Sequence, residues 1–216
     1  MKILNIKETL NLYKKGFFPM AVNRENEEVK FYKPNKRFII PINNFHLPKK
    51  LFKEFQKKKY NYKIDCKFEK VIEFCSLPRK KEGGSWINKV IKNTYNELNR
   101  LGLAHSIECW EKNKLLGGLY GVSINSCFFG ESMFHKKTNT SKLTLLYLIT
   151  ILIKNKFSLL DSQFYNEHLI QFGGYEITDN KYQKILKHGL QEKNYFRDIP
   201  KFQESIEILQ SLIHKS

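Results

Sequence analysis

Hydrophobic and polar positions alternate along this chain in two distinct patterns. Residues 62–66 place an apolar side chain at every second position, which is typical of a half-buried strand. Residues 86–101 place apolar side chains at intervals of three and four, which predicts an amphipathic helix. Ser85 is a suitable N-cap and Gly102 a suitable residue just past the end, so we expect this helix to begin directly after Ser85.

The middle of the chain has the pattern of a meander of antiparallel strands. Strand-like segments cover residues 104–110, 115–124 and 126–129, and the polar residues between them suit tight hairpin turns. A buried helix over residues 141–154 and a strand over residues 157–161 follow. Further helical stretches are a short one that ends at Gly173 and Gly174, then residues 181–188 and 205–215. Strands, then a helix, then a returning strand indicate an α+β layer fold.

The first sixty residues read as a separate small α+β module. A short amphipathic helix over residues 7–15 stops at Gly16, a β-branched run covers residues 38–41, and a second helix covers residues 47–59. We place the domain border near Tyr60. The prediction is a small N-terminal domain over residues 1–60 and a larger catalytic domain over residues 61–216.

Length and composition exclude several classes of protein. The chain has 216 residues, 41% of them hydrophobic, which is enough to bury a core and excludes global disorder. The longest apolar run, residues 143–153, is shorter than the roughly 20 residues of a membrane-spanning helix, so it is expected in the core. The first residues show no secretory signal. We therefore expect a cytoplasmic protein.

The formal net charge of +17 suggests a polyanionic partner. Of the 38 basic residues, however, 33 are lysine and 5 arginine, and a lysine-rich solvated surface explains such a charge equally simply. Both explanations stay open on charge alone. The four cysteines and six histidines are scattered without the spacings of a metal or redox motif, so no metal site is expected.

The densest unusual stretch is glycine-rich and precedes a carboxylate. Gly117-Gly-Leu-Tyr-Gly121 lies within a predicted strand, where glycines indicate a bulge, close packing or a ligand. Glu131 follows another glycine among apolar neighbours and needs a cationic partner, either one of the protein's lysines or a substrate. Ser132 is not expected to be a nucleophile, because Phe134 occupies the position where a nucleophile elbow needs glycine.

A second polar pair, Asp161 and Gln163, lies at the end of the predicted strand over residues 157–161. Period-two alternation points Asp161 and Gln163 to the same side, which suits either catalysis or a hydrogen-bonded strand end. The sequence contains no glycine-rich phosphate loop and no dinucleotide-binding turn, so we expect no nucleotide cofactor.

Eight short motifs occur in a fixed order between about residues 10 and 190. They are Gly16-Phe-Phe-Pro-Met20, Ser85-Trp-Ile87, Ala104-His-Ser-Ile-Glu-Cys-Trp110, Gly117-Gly-Leu-Tyr-Gly-Val122, Gly130-Glu-Ser-Met-Phe134, Asn139-Thr-Ser-Lys142, Leu160-Asp-Ser-Gln163 and His168-Leu169. In this order they resemble the bacterial leucyl/phenylalanyl-tRNA–protein transferase family. The resemblance implies a small N-terminal domain and a GNAT-like (acetyltransferase-like) catalytic domain, with a mainly antiparallel sheet flanked by helices. It also implies a reaction: leucine or phenylalanine moves from its aminoacyl-tRNA to the α-amino group of proteins that start with arginine or lysine, which marks them for N-end-rule degradation.

The resemblance implies roles for three polar residues. Asp161 and Gln163 match the pair implicated in peptide-bond formation, and Glu131 matches an acidic residue of the active site. An aminoacyl ester is already activated, so no ATP, metal or coenzyme is expected, and orienting the amine matters most. We expect Asp161 to hold both Gln163 and the attacking amine, and Glu131 to lie near the acceptor's cation.

The resemblance also implies residues that bind the aminoacyl-tRNA. Trp110 and Tyr32 match aromatic positions, Trp110 being implicated with the 3′ adenosine. The expected donor pocket is apolar and is formed by Leu148, Leu152, Met133 and Phe134. The lysine-rich surface would hold the acceptor arm of the tRNA by phosphate contacts. Nothing in the sequence demands more than a monomer.

Two other functions remain as alternatives. One is an acetyltransferase that uses acetyl-CoA on the same fold, against which the missing pyrophosphate loop argues. The other is a catalytically idle RNA-binding protein, against which Asp161, Gln163 and Glu131 argue, because phosphate binding does not need them.

Overall fold

The computed structural model describes residues 2–78 and 85–213, which form seventeen helices and strands in an α+β arrangement. The strands are β1 (Phe18–Ala21), β2 (Val29–Tyr32), β3 (Lys36–Ile40), β4 (Asn61–Ile64), β5 (Ala104–Glu111), β6 (Lys114–Ile124), β7 (Cys127–His135), β8 (Leu159–Asp161) and β9 (Tyr175–Thr178). The helices are α1 (Ile6–Tyr13), α2 (Lys49–Gln56), α3 (Phe68–Cys75), α4 (Lys89–Arg100), α5 (Thr140–Lys154), α6 (Glu167–Ile170), α7 (Asp179–Gln191) and α8 (Phe202–Ile213).

A seven-stranded sheet with the order β4-β5-β6-β7-β8-β3-β9 forms the centre of the molecule. All neighbours pair antiparallel except β7 and β8, which are parallel because α5 connects them as a crossover. The expected α+β class and mainly antiparallel sheet are therefore confirmed. The GNAT-like description stays a prediction.

Hydrophobic side chains fill two cores, one on each face of this sheet. On one face α5 packs against β5 and β6 and is covered by α2 and α8, so this helix is apolar almost all round. On the other face α3 packs against β6 and β7, and α4 and α7 complete the layer. The run over residues 143–153 is thus a core helix, as predicted. In the described ranges, no helix combines the length and apolar character needed to cross a bilayer.

The N-terminal segment contributes to both sheets. β1 and β2 pair with each other in a two-stranded sheet, while β3 lies inside the large sheet between β8 and β9. The proposed division into residues 1–60 and 61–216 stays a prediction, and β3 and α2 tie its first part to the core of the second.

Several local predictions differ from the structure. The helix expected after Ser85 begins at Lys89, because the side chain of Asn88 caps it by accepting a hydrogen bond from the backbone N–H of Ile91 (2.8 Å). β7 continues to His135, and β9 and α3 were not predicted. The last helix is described to Ile213, and the remainder of its predicted range lies outside the described residues.

Candidate active site

A cavity of about 250 Å³ opens beside the middle of β7 and the C-terminal end of β8. This volume lies below the roughly 300–1,000 Å³ of pockets for drug-sized ligands and suits a small moiety such as an amino acid. Its apolar lining includes side chains from six elements of the fold, namely β3, β6, β7, β8, α5 and α6. These side chains are Ile40, Leu119, Met133, Leu145, Leu148, Leu160 and Leu169. Its polar lining includes Glu131, Asp161 and Gln163, so the structure brings the three predicted catalytic residues together.

Glu131 enters the cavity from a β-bulge. Tyr120 pairs with Ser132 and the next residue, Gly121, pairs with Gly130, so Glu131 is the extra residue on β7. Bulges commonly re-aim a side chain next to an active site. A side chain at Gly121 would collide with the backbone oxygen of Phe129 at 2.4 Å, so the glycine permits the close strand packing here. The glycine-rich strand has a bulge of its own at Leu116, since Cys109 pairs with Gly117 and Trp110 pairs with Leu115. The predicted bulge and the predicted close packing of this strand are therefore both confirmed.

The carboxylate of Glu131 is enclosed, although the residue as a whole is partly exposed. Its Oε1 accepts hydrogen bonds from the Tyr13 hydroxyl (2.6 Å) and from Nε2 of Gln163 (3.0 Å). Its Oε2 has no hydrogen-bond partner among the described residues. Burial raises the pKa of Glu131 to about 7, against the lowering effect of the nearby polar groups of Tyr13, Tyr95 and Gln163. An unpaired carboxylate oxygen in a cavity is suited to a cationic ligand.

Two tyrosines support Glu131 from the helices behind it. The hydroxyls of Tyr13 at the end of α1 and Tyr95 in α4 share a short hydrogen bond. Burial, followed by the negative charge of Glu131, raises the pKa of both tyrosines. They therefore stay protonated, which keeps Tyr13 a hydrogen-bond donor to the carboxylate.

Asp161 is fully buried at the end of β8, and both its oxygens are occupied. Arg37 donates from Nε to Oδ1 (2.8 Å) and Oδ2 (3.0 Å), and from Nη2 to Oδ2 (2.7 Å). The Tyr182 hydroxyl also donates to Oδ2 (2.7 Å), and the backbone N–H of Gln163 donates to Oδ1 (2.8 Å). Asp161 thus acts on the cavity through Gln163.

Gln163 stands between the two carboxylates. Its φ of 66° is in the left-handed region, and the Asp161 side chain accepts its N–H in that conformation. Its Nε2 then reaches Glu131, while its side-chain oxygen accepts no hydrogen bond from the described residues. That free oxygen is a suitable acceptor for an amine N–H group.

The four residues predicted to form the donor pocket divide into two pairs. Met133 and Leu148 line the cavity. Leu152 is buried in the core around α5, and the ring of Phe134 packs against Phe74 with centroids 5.0 Å apart. Neither Leu152 nor Phe134 is part of the cavity lining.

The two predicted aromatic contacts lie away from the lining. Trp110 is buried, and its Nε1 donates to Glu108 (2.9 Å), whose other oxygen accepts the backbone N–H of Lys67 (2.6 Å) at the start of α3. The motif that ends at Trp110 therefore holds α3 against β5. Tyr32 is 37% exposed on β2, and its ring packs 6.4 Å from that of Phe18.

Sequence reasoning missed five residues that build the site. Arg37 and Tyr182 hold Asp161, whereas Tyr13 and Tyr95 support Glu131. Trp86 lines the cavity. Arg37 had a sequence signal, because it is one of five arginines in a lysine-rich chain and opens a run of β-branched residues. Trp86 belongs to one of the eight motifs, but the sequence pattern assigned it to the amphipathic helix over residues 86–101, so it was not predicted to line the cavity.

Comparison with known proteins gives one consistent result. A family model described as leucyl/phenylalanyl-tRNA protein transferase matches residues 39–187. A protein named leucyl/phenylalanyl-tRNA–protein transferase from Zymomonas mobilis is 44% identical over 189 residues, which cover 88% of this chain and 70% of the relative. Its namesake from Caulobacter vibrioides is 38% identical over 98% of this chain and 97% of the relative. The solved structure of L-PGS from Bacillus licheniformis has a TM-score of 0.43 and 10% identity over 96% of this chain and 70% of that chain, which is too distant to support a conclusion.

Proposed function

Because this chain belongs to the leucyl/phenylalanyl-tRNA–protein transferase family, we propose that it transfers leucine or phenylalanine from aminoacyl-tRNA to proteins. The acceptors are proteins whose N-terminal residue is arginine or lysine, and the products enter the N-end-rule degradation route. The observation that carries this proposal is the cavity itself, which joins an apolar lining to Glu131 and Gln163. We further propose that the protein is cytoplasmic, since charged tRNA is found in the cytoplasm. We also propose that it acts as a monomer.

The apolar lining is the proposed site for the donor side chain. Met133, Leu145 and Leu148 line one part of the cavity, with Leu119 and Leu160 from the sheet beside them. An apolar enclosure rejects polar donors, because their polar groups would lose water without finding partners. It discriminates among apolar donors more weakly, since one methylene group is worth about 1–3 kcal/mol.

Glu131 is the proposed partner of the acceptor's positive charge. Its Oε2 is enclosed and has no partner among the described side chains, so the free enzyme leaves a place for one cation. A guanidinium or an ammonium group fills that place with a charge-assisted hydrogen bond. An acceptor that begins with alanine offers no side-chain cation and is expected to bind poorly.

Gln163 is the proposed orienting group for the attacking amine. An α-amino group has a pKa of about 7.7–8.0, so a useful fraction is neutral near pH 7 and a strong base is unnecessary. The free side-chain oxygen of Gln163 accepts one N–H of the amine and points the nitrogen lone pair at the ester carbonyl. Asp161 supports this step through the backbone of Gln163, since its own oxygens are occupied.

The tRNA is the proposed partner of the lysine-rich surface. A shallow groove away from the cavity is lined by the exposed side chains of Lys14, Lys15, Lys33 and Lys187. Lys33 lies 3.4 Å from Asp179, whereas the other three form no ion pair within residues 2–78 and 85–213. Unpaired lysines suit phosphate contacts that do not depend on base sequence.

The direct test supplies radiolabelled Leu-tRNA or Phe-tRNA and peptides that start with arginine, lysine or alanine. We expect label in the arginine and lysine peptides and none in the alanine peptide. Asp161→Asn is the matched inactive control, because it removes the charge that pairs with Arg37 and keeps the side-chain shape. Acetylation of the same peptides from acetyl-CoA, without aminoacyl transfer, would contradict the proposal.

A further inference from the structure

The arginine behind the site is the most completely buried cation of the described chain, and its surroundings are specific. Arg37 is 1% exposed, and its guanidinium lies between the rings of Phe18 and Tyr182, with Cζ 4.6 Å from each ring centroid. Its Nη1 donates to the backbone oxygen of Gly16 (2.8 Å), and its Nε and Nη2 donate to Asp161. Planar stacking and a two-pronged contact with a carboxylate are features that arginine provides and lysine does not.

The hydrogen bonds from Arg37 continue to the cavity without interruption. Arg37 and the Tyr182 hydroxyl donate hydrogen bonds to the Asp161 carboxylate, and Oδ1 of this carboxylate accepts the backbone N–H of Gln163 at 2.8 Å. Gln163 has a left-handed φ of 66°, which a non-glycine residue adopts only where its surroundings stabilise it. The amide of Gln163 then donates to Glu131 at 3.0 Å. The position of this amide therefore depends on where the Asp161 carboxylate is held.

We propose that Arg37 and Tyr182 are positioning residues of the transfer reaction, which fix Asp161 so that Gln163 presents its amide to the acceptor amine. Neither residue lines the cavity, so both act through Asp161 and Gln163. The inference rests on the proposed function. It adds that the geometry of the reacting groups is set by a buried ion pair between β3 and β8.

The test compares two changes of the Asp161 partners. Arg37→Lys keeps the positive charge but cannot supply the two-pronged contact together with the bond to Gly16. We expect kcat to fall by about 10- to 100-fold, because small displacements of an orienting group cost that much. The KM for aminoacyl-tRNA should stay within about twofold, since the donor lining is unchanged. Tyr182→Phe removes one hydrogen bond to Asp161 and should lower kcat less, by about 3- to 10-fold, again with KM retained.

Two control variants separate positioning from general destabilisation. Ile177→Ala shortens the buried residue paired with Arg37 across β3 and β9, so it lowers the melting temperature without touching Asp161. Arg100→Lys makes the same chemical change in an exposed pair with Glu97. Both should keep the kcat of the wild type at temperatures well below melting.

Each outcome decides the inference. A folded Arg37→Lys variant with a kcat within twofold of the wild type would overturn it, and so would an equal loss in Ile177→Ala. If Arg37→Lys does not fold, Tyr182→Phe decides, and its unchanged kcat would overturn the inference. An inactive wild-type protein would instead refute the proposed function, which keeps the two failures distinct.

Discussion

Replacing Glu131 with glutamine should change how the stability of this protein depends on pH. Burial raises the pKa of this carboxyl group from the usual 4.5 to about 7. A carboxyl group whose pKa is raised in the folded state contributes stability below its unfolded pKa and loses that contribution as the pH rises through the folded value. The loss between pH 4.5 and pH 7 to 8 is about 3 kcal/mol, since one pH unit corresponds to roughly 1.4 kcal/mol. Glutamine has a similar shape and no charge, so the variant should avoid this loss.

Urea unfolding of both proteins at several pH values between 4.5 and 8 measures the effect. The free energy of unfolding of the wild type should fall relative to that of Glu131→Gln by about 3 kcal/mol across this range. Glu97→Gln is the matched control, because it changes a glutamate in an exposed pair with Arg100. Parallel curves for the wild type and Glu131→Gln would show that the carboxylate is not held in a desolvated site and would contradict the role of its Oε2 as the place for the acceptor's cation.

Three further predictions concern the substrates. Binding of an arginine-starting peptide at pH 7 should release about half a proton from Glu131, because an adjacent cation lowers the pKa of its carboxyl group. Calorimetry in buffers of different ionisation enthalpy measures this release. Equal heats of binding in all buffers would contradict it. Leu148→Phe should lower the ratio of phenylalanine to leucine transfer by at least about tenfold, whereas Leu152→Phe, outside the cavity, should leave this ratio unchanged. Competition between the two charged tRNAs measures the ratio. A change of the ratio in Leu152→Phe alone would show that the donor pocket is not this cavity. Lys14→Ala combined with Lys187→Ala should reduce the slope of the logarithm of tRNA affinity against the logarithm of salt concentration by about 1–2. Filter binding at several salt concentrations measures the slope. An unchanged slope would exclude the groove as a phosphate-binding site.

Local features of the fold were readable from the sequence because local interactions determine them. Gly102 has a left-handed φ of 70° just after α4, and the bulge predicted in the glycine-rich strand lies at Leu116, next to Gly117. The start of α4 was misplaced because Ser85 and Asn88 are both good caps. Only Asn88 has its side chain hydrogen-bonded to the first turn of the helix, whereas Ser85 Oγ accepts from Ile87 N before the helix begins.

The candidate site was readable only in part because contacts distant in sequence complete it. Glu131 lies within β7, Asp161 ends β8 and Gln163 follows it, and the motifs identified all three. Arg37 contacts Asp161 across 124 residues, and no periodicity records such a partner. The two tryptophans also show that a motif does not reveal which side chains meet in the fold. Trp110 donates to the buried Glu108, while Trp86 lines the cavity.

The central position of β3 has a consequence for how the protein folds. β3 is synthesised early, yet its neighbours β8 and β9 follow more than a hundred residues later, with Ile39 paired to Asp161 and Tyr175. Pairings of such separation form slowly, because a long loop must close first, whereas β5, β6 and β7 are joined by tight turns and assemble locally. A newly made chain therefore carries an apolar strand with two open edges until its C-terminal third emerges from the ribosome. We expect the insertion of β3, which also creates the Arg37–Asp161 pair, to be a late folding step. Refolding protein should therefore regain the paired strands β5, β6 and β7 before it regains activity.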